Sequence, residues 1–230
     1  MARLLLAGAI ALAVWGADPA TPDCRTPLGI PCSTIRFAQS QWQFTREGGL
    51  DLSHYTGVTI SAVRSDGSFI EIADRQEMSR WFKREARTAG SASMYLAPDD
   101  VMVRVDHQQK SISRRAPLLW NDRPYRYSTP GDRTCLSGIR RWGAHFFLRG
   151  TDTVAGVPVI RWSGANPGGG YTEVYLAPSL DCRPLKIHTV HRRFGILPTF
   201  TSTTEAISVE WGEPKPELFA LPAGYRESKE

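Results

Sequence analysis

No apolar run in the 230-residue chain is long enough to cross a bilayer as a helix; the uncharged stretch Leu4–Trp15 is the longest, and it stops short of the ~20 residues required. Lysine is scarce: Lys83, Lys110, Lys186, Lys215 and Lys229 are five of 28 basic residues, and the arginines that make up the rest are spread along the chain. The tightest groups are the pairs Arg114-Arg115, Arg140-Arg141 and Arg192-Arg193, so the clustered footprint of nucleic-acid binding is missing. Only four cysteines occur and none in C-x-x-C spacing, which removes a dithiol redox pair and a structural zinc site. Also missing are G-x-S-x-G and S-x-x-K serine motifs and the phosphate-loop and dinucleotide glycine fingerprints. His188 and His191 are the only close histidine pair, and three residues apart on a strand they point to opposite faces. Acids such as Glu71, Asp106, Glu173 and Glu210 are scattered, and Asp99-Asp100 reads as a turn. No catalytic, metal or cofactor site is expected.

Other features are plainly present. Arg3 followed by Leu4–Trp15, then the polar Asp18-Pro-Ala-Thr-Pro-Asp23, has the layout of a secretory signal peptide cleaved near residue 16 or 17. Cys24 follows Thr21-Pro22-Asp23 rather than the small residues that lipid attachment needs. The expected organisation is a signal peptide over 1–17 and a single β-rich extracytoplasmic domain over 18–230. All four cysteines lie in that domain, as an oxidising periplasmic or secreted location permits. Loss of Arg3 with the leader takes the formal charge from +5 to +4, a weak attraction to an anionic membrane surface. Four cysteines allow three connectivities; the eight-residue spacing of Cys24 and Cys32 favours a local loop, leaving Cys135 with Cys182.

Twenty glycines and 16 prolines point to many turns and a strand-rich chain. Val58–Val63 and Phe69–Ile72 flank Ser65-Asp-Gly-Ser68, which reads as a hairpin with both central residues at positive φ. Asp74 as cap, the stripe Met78, Trp81, Phe82, Ala86 and a stop at Gly90 predict the one main helix. A strand over 101–105 turns at 107–110 into 111–114. Residues 116–137, with Trp120, Tyr125 and Tyr127, form an aromatic loop that is either a lid or a packed arm. Antiparallel strands follow at 143–149, 157–163, 171–177, 185–194 and 200–211, with Phe146, Phe147, Val157, Val159, Ile160, Val174, Leu176, Ile187, Ile207 and Val209 facing inward. The glycine run in 163–170 is read as a hairpin tip rather than an anion nest.

Thr153-Val-Ala-Gly-Val-Pro-Val-Ile-Arg161, Glu173-Val-Tyr-Leu-Ala-Pro178, Leu185-Lys-Ile187 and Glu217-Leu-Phe-Ala-Leu-Pro-Ala-Gly-Tyr225 together resemble secreted bacterial proteins related to the Lol-type (outer-membrane lipoprotein-sorting) carriers. The resemblance covers 143–225. It implies an α+β fold, an incomplete, curved and mostly antiparallel barrel with one main helix on its concave face, holding acyl chains or a lipidated partner. A single helix cannot cover a large twisted sheet, and an uncovered apolar face is the default binding site. The expected function is therefore a non-enzymatic carrier or binding module, its cleft lined by Met78, Trp81, Phe82, Trp120, Tyr125 and Phe147, with acyl chains or a lipoprotein as partner. The alternatives are an envelope structural or interaction protein without a cavity, and a hydrolase with an unrecognised site.

Overall fold

A computed structural model of the protein describes residues 23–45, 51–80, 83–84, 88–117, 132–140, 145–166, 169–193 and 197–228. The leader and most of loop 116–137 lie outside the described residues. Thirteen strands form one open sheet among the described residues. They are β1 (Ser33–Thr45), β2 (Asp51–Val63), β3 (Phe69–Arg80), β4 (Lys83–Arg84), β5 (Thr88–Leu96), β6 (Val101–Asp106) and β7 (Ser111–Arg115), then β8 (Phe146–Val154), β9 (Val157–Ala165), β10 (Gly170–Ala177), β11 (Arg183–Arg193), β12 (Leu197–Trp211) and β13 (Arg226–Ser228). The order across the sheet is β13-β7-β6-β5-β3-β2-β1-β12-β11-β10-β9-β8, with β4 beside β3. Every pairing is antiparallel except β13 on β7. Two runs of sequential hairpins thus meet where β1 pairs with β12.

The expected helix over 74–90 is corrected by the structure. Residues 69–80 are strand β3, paired with β2 from Val63↔Phe69 to Ser53↔Arg80. Val58 opposes Arg75 and Thr59 opposes Ala73, so Asp74, read above as a helix cap, is the extra residue of a bulge. The only α-helix among the described residues is the five-residue α1 (Leu136–Arg140). It emerges from the segment expected to be irregular.

Turn chemistry also differs from expectation. In Ser65–Ser68 only Gly67 has positive φ, 89°. The Gly67 N–H donates to the Arg64 carbonyl at 3.1 Å, and the Asp66 carboxylate accepts from the Ser68 N–H at 2.7 Å. A loop with two consecutive positive φ values does occur, between β8 and β9, at Ala155 (49°) and Gly156 (77°).

Three apolar clusters hold the sheet. Beyond β1, the side built from β2, β3, β5, β6 and β7 buries Ala62, Ile70, Met94, Val103, Val105 and Ile112. Phe219, buried, and Leu218, Leu221 and Tyr225 from the last segment of the chain pack on them. On the other side, Val154, Val157, Val159, Tyr175 and Leu185 cluster with Ile35 and Phe37 of β1. There the sheet curls far enough for β8 to approach β12. The third cluster joins Ile160, Trp162, Val174 and Leu176 to Ile139 of α1. Full burial of each such aliphatic side chain is worth about 1.5–3 kcal/mol.

Candidate ligand-binding face

The geometry of β8–β12 follows from registers, because directly opposed residues share a face of the sheet. Trp162, Val174 and Ile187 are opposed in one row. Their face is closed by α1 and by the Cys135–Cys182 disulfide, whose sulfurs lie in the same cluster. The Asp132 carboxylate fixes the approach to α1. It accepts hydrogen bonds from the Thr134 N–H (3.0 Å) and hydroxyl (2.6 Å) and from the Ser137 N–H (2.8 Å) and hydroxyl (2.6 Å). Burial pushes this carboxyl upward, but the hydrogen bonds from Ser137 and Thr134 outweigh it and hold Asp132 well below the usual carboxylate range.

The opposite face is different. One row runs Phe147–Ser163–Glu173–His188–Thr203–Ser40 and the next Gly150–Arg161–Tyr175–Lys186–Glu205–Ala38. A third, Ala165–Tyr171–Val190–Thr201–Trp42, continues the same face. Aromatic side chains therefore alternate with charges, but Tyr175 is buried in the Ile35 and Val159 cluster, so the open part of this face lies around Phe147, Tyr171 and Trp42. Phe147 is 62% exposed and Trp42 41%. Tyr171 stacks at a tilt on His188, ring centroids 5.8 Å apart, and the His188 Nδ1 pairs with the Thr203 hydroxyl at 2.9 Å.

The charged groups neutralise one another. Arg161 Nε stands 3.7 Å from Glu173 Oε1, and Lys186 Nζ lies 2.8 Å from Glu205 Oε2 and 5.4 Å from the centre of the Tyr175 ring. Burial, then the Glu173 charge, raise the Tyr175 phenol. The hydrogen bond to Glu205 raises the Lys186 ammonium against the opposing effect of burial. Both titrations are pushed further above pH 7, keeping the phenol neutral and the ammonium charged, so neither is poised to transfer a proton at pH 7. The arrangement can bind an amphipathic molecule, presenting rings to its apolar part and fixed ion pairs to its polar end.

Of the residues expected to line a cleft, Trp81, Phe82, Trp120 and Tyr125 lie outside the described residues. Met78 belongs to β3, opposed to Tyr55 of β2. Phe147 lies on β8 in the exposed row. It and Ile207 (57% exposed) do not face a core, as the apolar pattern of the last strands had implied. Ile207 is extruded because Arg36 opposes Ser208 and Phe37 opposes Ala206, leaving it without a partner in the bulge. Trp42, Tyr171, Arg161 and Lys186 escaped the sequence reading. The alternation Tyr171, Glu173, Tyr175 along β10 is the one signal that marks their face.

The other candidate chemistry resolves into structure. The Asp106 carboxylate accepts from the Gln109 N–H at 2.8 Å in the β6–β7 turn, and Asp100 accepts from the Tyr95 hydroxyl at 2.9 Å. Asn166 donates its N–H to the Gly170 carbonyl (3.2 Å) at the β9–β10 hairpin tip. Among the described residues one group of potential metal ligands gathers within 4.8 Å: Cys24, Cys32 and Glu213. Both sulfurs are joined in the Cys24–Cys32 disulfide, so that group has no thiolate to offer a metal.

No family model and no curated protein matches the chain. Solved structures that it is similar to include an uncharacterized conserved protein from Thermus thermophilus, at 9% identity over 84% of this chain and 90% of that one, TM-score 0.45. Another is the MucA/MucB complex of Pseudomonas aeruginosa, at 14% identity over 83% of this chain but only 56% of the matched one, TM-score 0.39. A third is a LolA superfamily protein from Nitrosomonas europaea, at 8% identity over 87% and 94%, TM-score 0.30. The last belongs to the group that the C-terminal motifs resemble. With every one of these TM-scores below 0.5, the likeness carries no inference about ligand or partner.

Proposed function

We propose that the protein is an exported, non-enzymatic carrier or binding module for an apolar ligand or a lipidated partner, and that it binds through the face of β8–β12 and β1 bearing Phe147, Tyr171 and Trp42. The observation that carries this reading is the contrast between the two faces of the same strands. One is filled by α1 and a disulfide; the other buries Val157, Val159 and Tyr175 toward one end and, toward the other, leaves the rings of Phe147 and Trp42 exposed near paired charges. Two disulfides among the described residues support an oxidising, extracytoplasmic location. Acyl chains are the favoured ligand class because the exposed apolar groups of this face are the rings of Phe147 and Trp42, with the paired charges of Arg161, Glu173, Lys186 and Glu205 left to meet a polar head.

The test is to express the chain in a bacterial periplasm, purify it without detergent and compare native with denatured mass. The expected result is an added mass that denaturation releases as acyl species, reduced in a Phe147→Asp variant. A native mass equal to that of the oxidised polypeptide, unchanged after incubation with fatty acid or phospholipid, would overturn the reading.

A further inference from the structure

β8 is one of the two outer strands of the sheet, and Phe147 through Thr153 are all exposed along it. The outward N–H and C=O groups of such a strand are a template for another chain, and edges are ordinarily blunted by lysine, proline, charge or shortness. The opposite outer strand, β13, is three residues long and carries Arg226 and Glu227. β8 runs for nine residues with neither lysine nor proline; its two charges, Arg149 and Asp152, are of opposite sign, and Phe147 and Leu148 are 62% and 60% exposed.

Its one irregularity specifies a partner. Leu148 opposes Trp162 and Gly150 opposes Arg161, so Arg149 is the extra residue of a bulge. A bulge brings its two residues to one side of the sheet, and Asp152, two beyond Gly150, shares that side. Among the described residues Arg149 has no ion-pair partner, and the Asp152 carboxylate, whose charge also reaches Lys186 and Tyr175, accepts a hydrogen bond only from the neighbouring Thr153 N–H, at 2.8 Å.

We propose that β8 pairs antiparallel with β8 of a second copy of this chain, about a two-fold axis normal to the sheet at Thr151. Counting the Arg149–Gly150 bulge as one position, that register sets Arg149 opposite Asp152 of the second copy, twice by symmetry. Leu148 meets Thr153, and Phe147 meets Val154, of the second copy. An axis one position away in either direction sets Arg149 against Arg149 or Asp152 against Asp152. Like charges directly opposed are destabilising, so the charges of β8 select one register.

Sedimentation equilibrium on the unliganded wild-type chain, with Arg149→Asp, Asp152→Arg and the double swap, tests this independently of any bound ligand. Each single reversal creates two like-charge pairs and is expected to weaken the dimer about tenfold, while the double swap restores it to within about threefold. All substituted positions are exposed, and unchanged thermal melting checks the fold. Amide exchange over Phe147–Thr153 is expected to slow as the concentration of the wild-type chain rises. A wild-type monomer at about 100 μM would overturn the proposal, even if these amides slow on adding another chain. So would a dimer indifferent to the single reversals, or one that the double swap fails to restore.

Discussion

On the β2–β7 side of the sheet, Phe219 and its neighbours from the last segment of the chain lie over Ile70, Met94 and Val103; on the β9–β11 side a five-residue helix and a disulfide lie over Trp162 and Val174. The first cover is apolar closure by residues more than a hundred positions away in sequence. The second is local and covalent, since Cys135–Cys182 clamps α1 to the start of β11. A covalent clamp fills one face with few residues, and on the other face of the same strands only the part beyond the Val157, Val159 and Tyr175 cluster is left open. The exposed rings and paired charges sit there. The proposed binding surface lies on the β8–β12 side, and β2–β7 serve as its support.

The largest expected effect comes from removing the clamp. Replacing Cys135 and Cys182 together by alanine is expected to cost about 4 kcal/mol in the chain-entropy picture, against about 2.5 kcal/mol for the Cys24–Cys32 pair, because the closed loops differ in length (sequence separations of 47 and 8). Urea denaturation of both double variants checks the ranking; equal losses would show that the α1 cover does not depend on its disulfide.

Next come the cores. Ile70→Ala in one half and Leu185→Ala in the other, both at 1% exposure or less, are each expected to cost about 3 kcal/mol. Both should shift one shared unfolding transition, because β1 and β12 join the halves through a continuous ladder. Two separate transitions in calorimetry would break the picture of a shared sheet.

Asp132→Ala is expected to cost about 2 kcal/mol at neutral pH through loss of charge-accepting hydrogen bonds ahead of α1. The native carboxyl titrates below its ordinary value of 3.8, so its contribution is whole above that value and is lost as pH falls towards the lower native one. Stability curves of wild type and variant should therefore converge in acid. A constant gap across pH 2–7 would contradict the assigned hydrogen bonds.

Smaller and opposite in sign, Ala155→Asn should stabilise by about 1 kcal/mol, since Ala155 holds φ at 49° where asparagine is tolerated better. Thermal melting reads that gain directly. Phe147→Ser should alter stability least, by less than about 0.5 kcal/mol, while weakening acyl binding in a fluorescent fatty-acid titration.

Many of the individual strands are legible in the sequence, though not their order in the sheet. β6, β7 and β9–β12 were found because one face of each is buried and period-two alternation shows it, as in Val101, Val103 and Val105. β3 was misread beyond Ala73: Met78, Trp81, Phe82 and Ala86 fit a helical stripe, and nothing local reveals that β2 supplies the pairing that makes the segment a strand. Asp74 satisfies a helix cap and a bulge equally well. α1 was missed because its stability comes from Asp132 and a disulfide rather than from length or periodicity. The exposed face was hidden for a related reason. Phe147 and Ile207 carry apolar patterns that read as core, and only registers and bulges, which are tertiary facts, turn them outward.

The most direct test of the binding assignment is amide hydrogen exchange on the detergent-free chain with and without a saturating long-chain fatty acid, at a protein concentration kept constant. The account predicts that added protection falls on β8–β12 and β1, around Phe147, Tyr171 and Trp42, and leaves β5–β7 unchanged. Protection confined to β5–β7, or none despite measured binding, would contradict it.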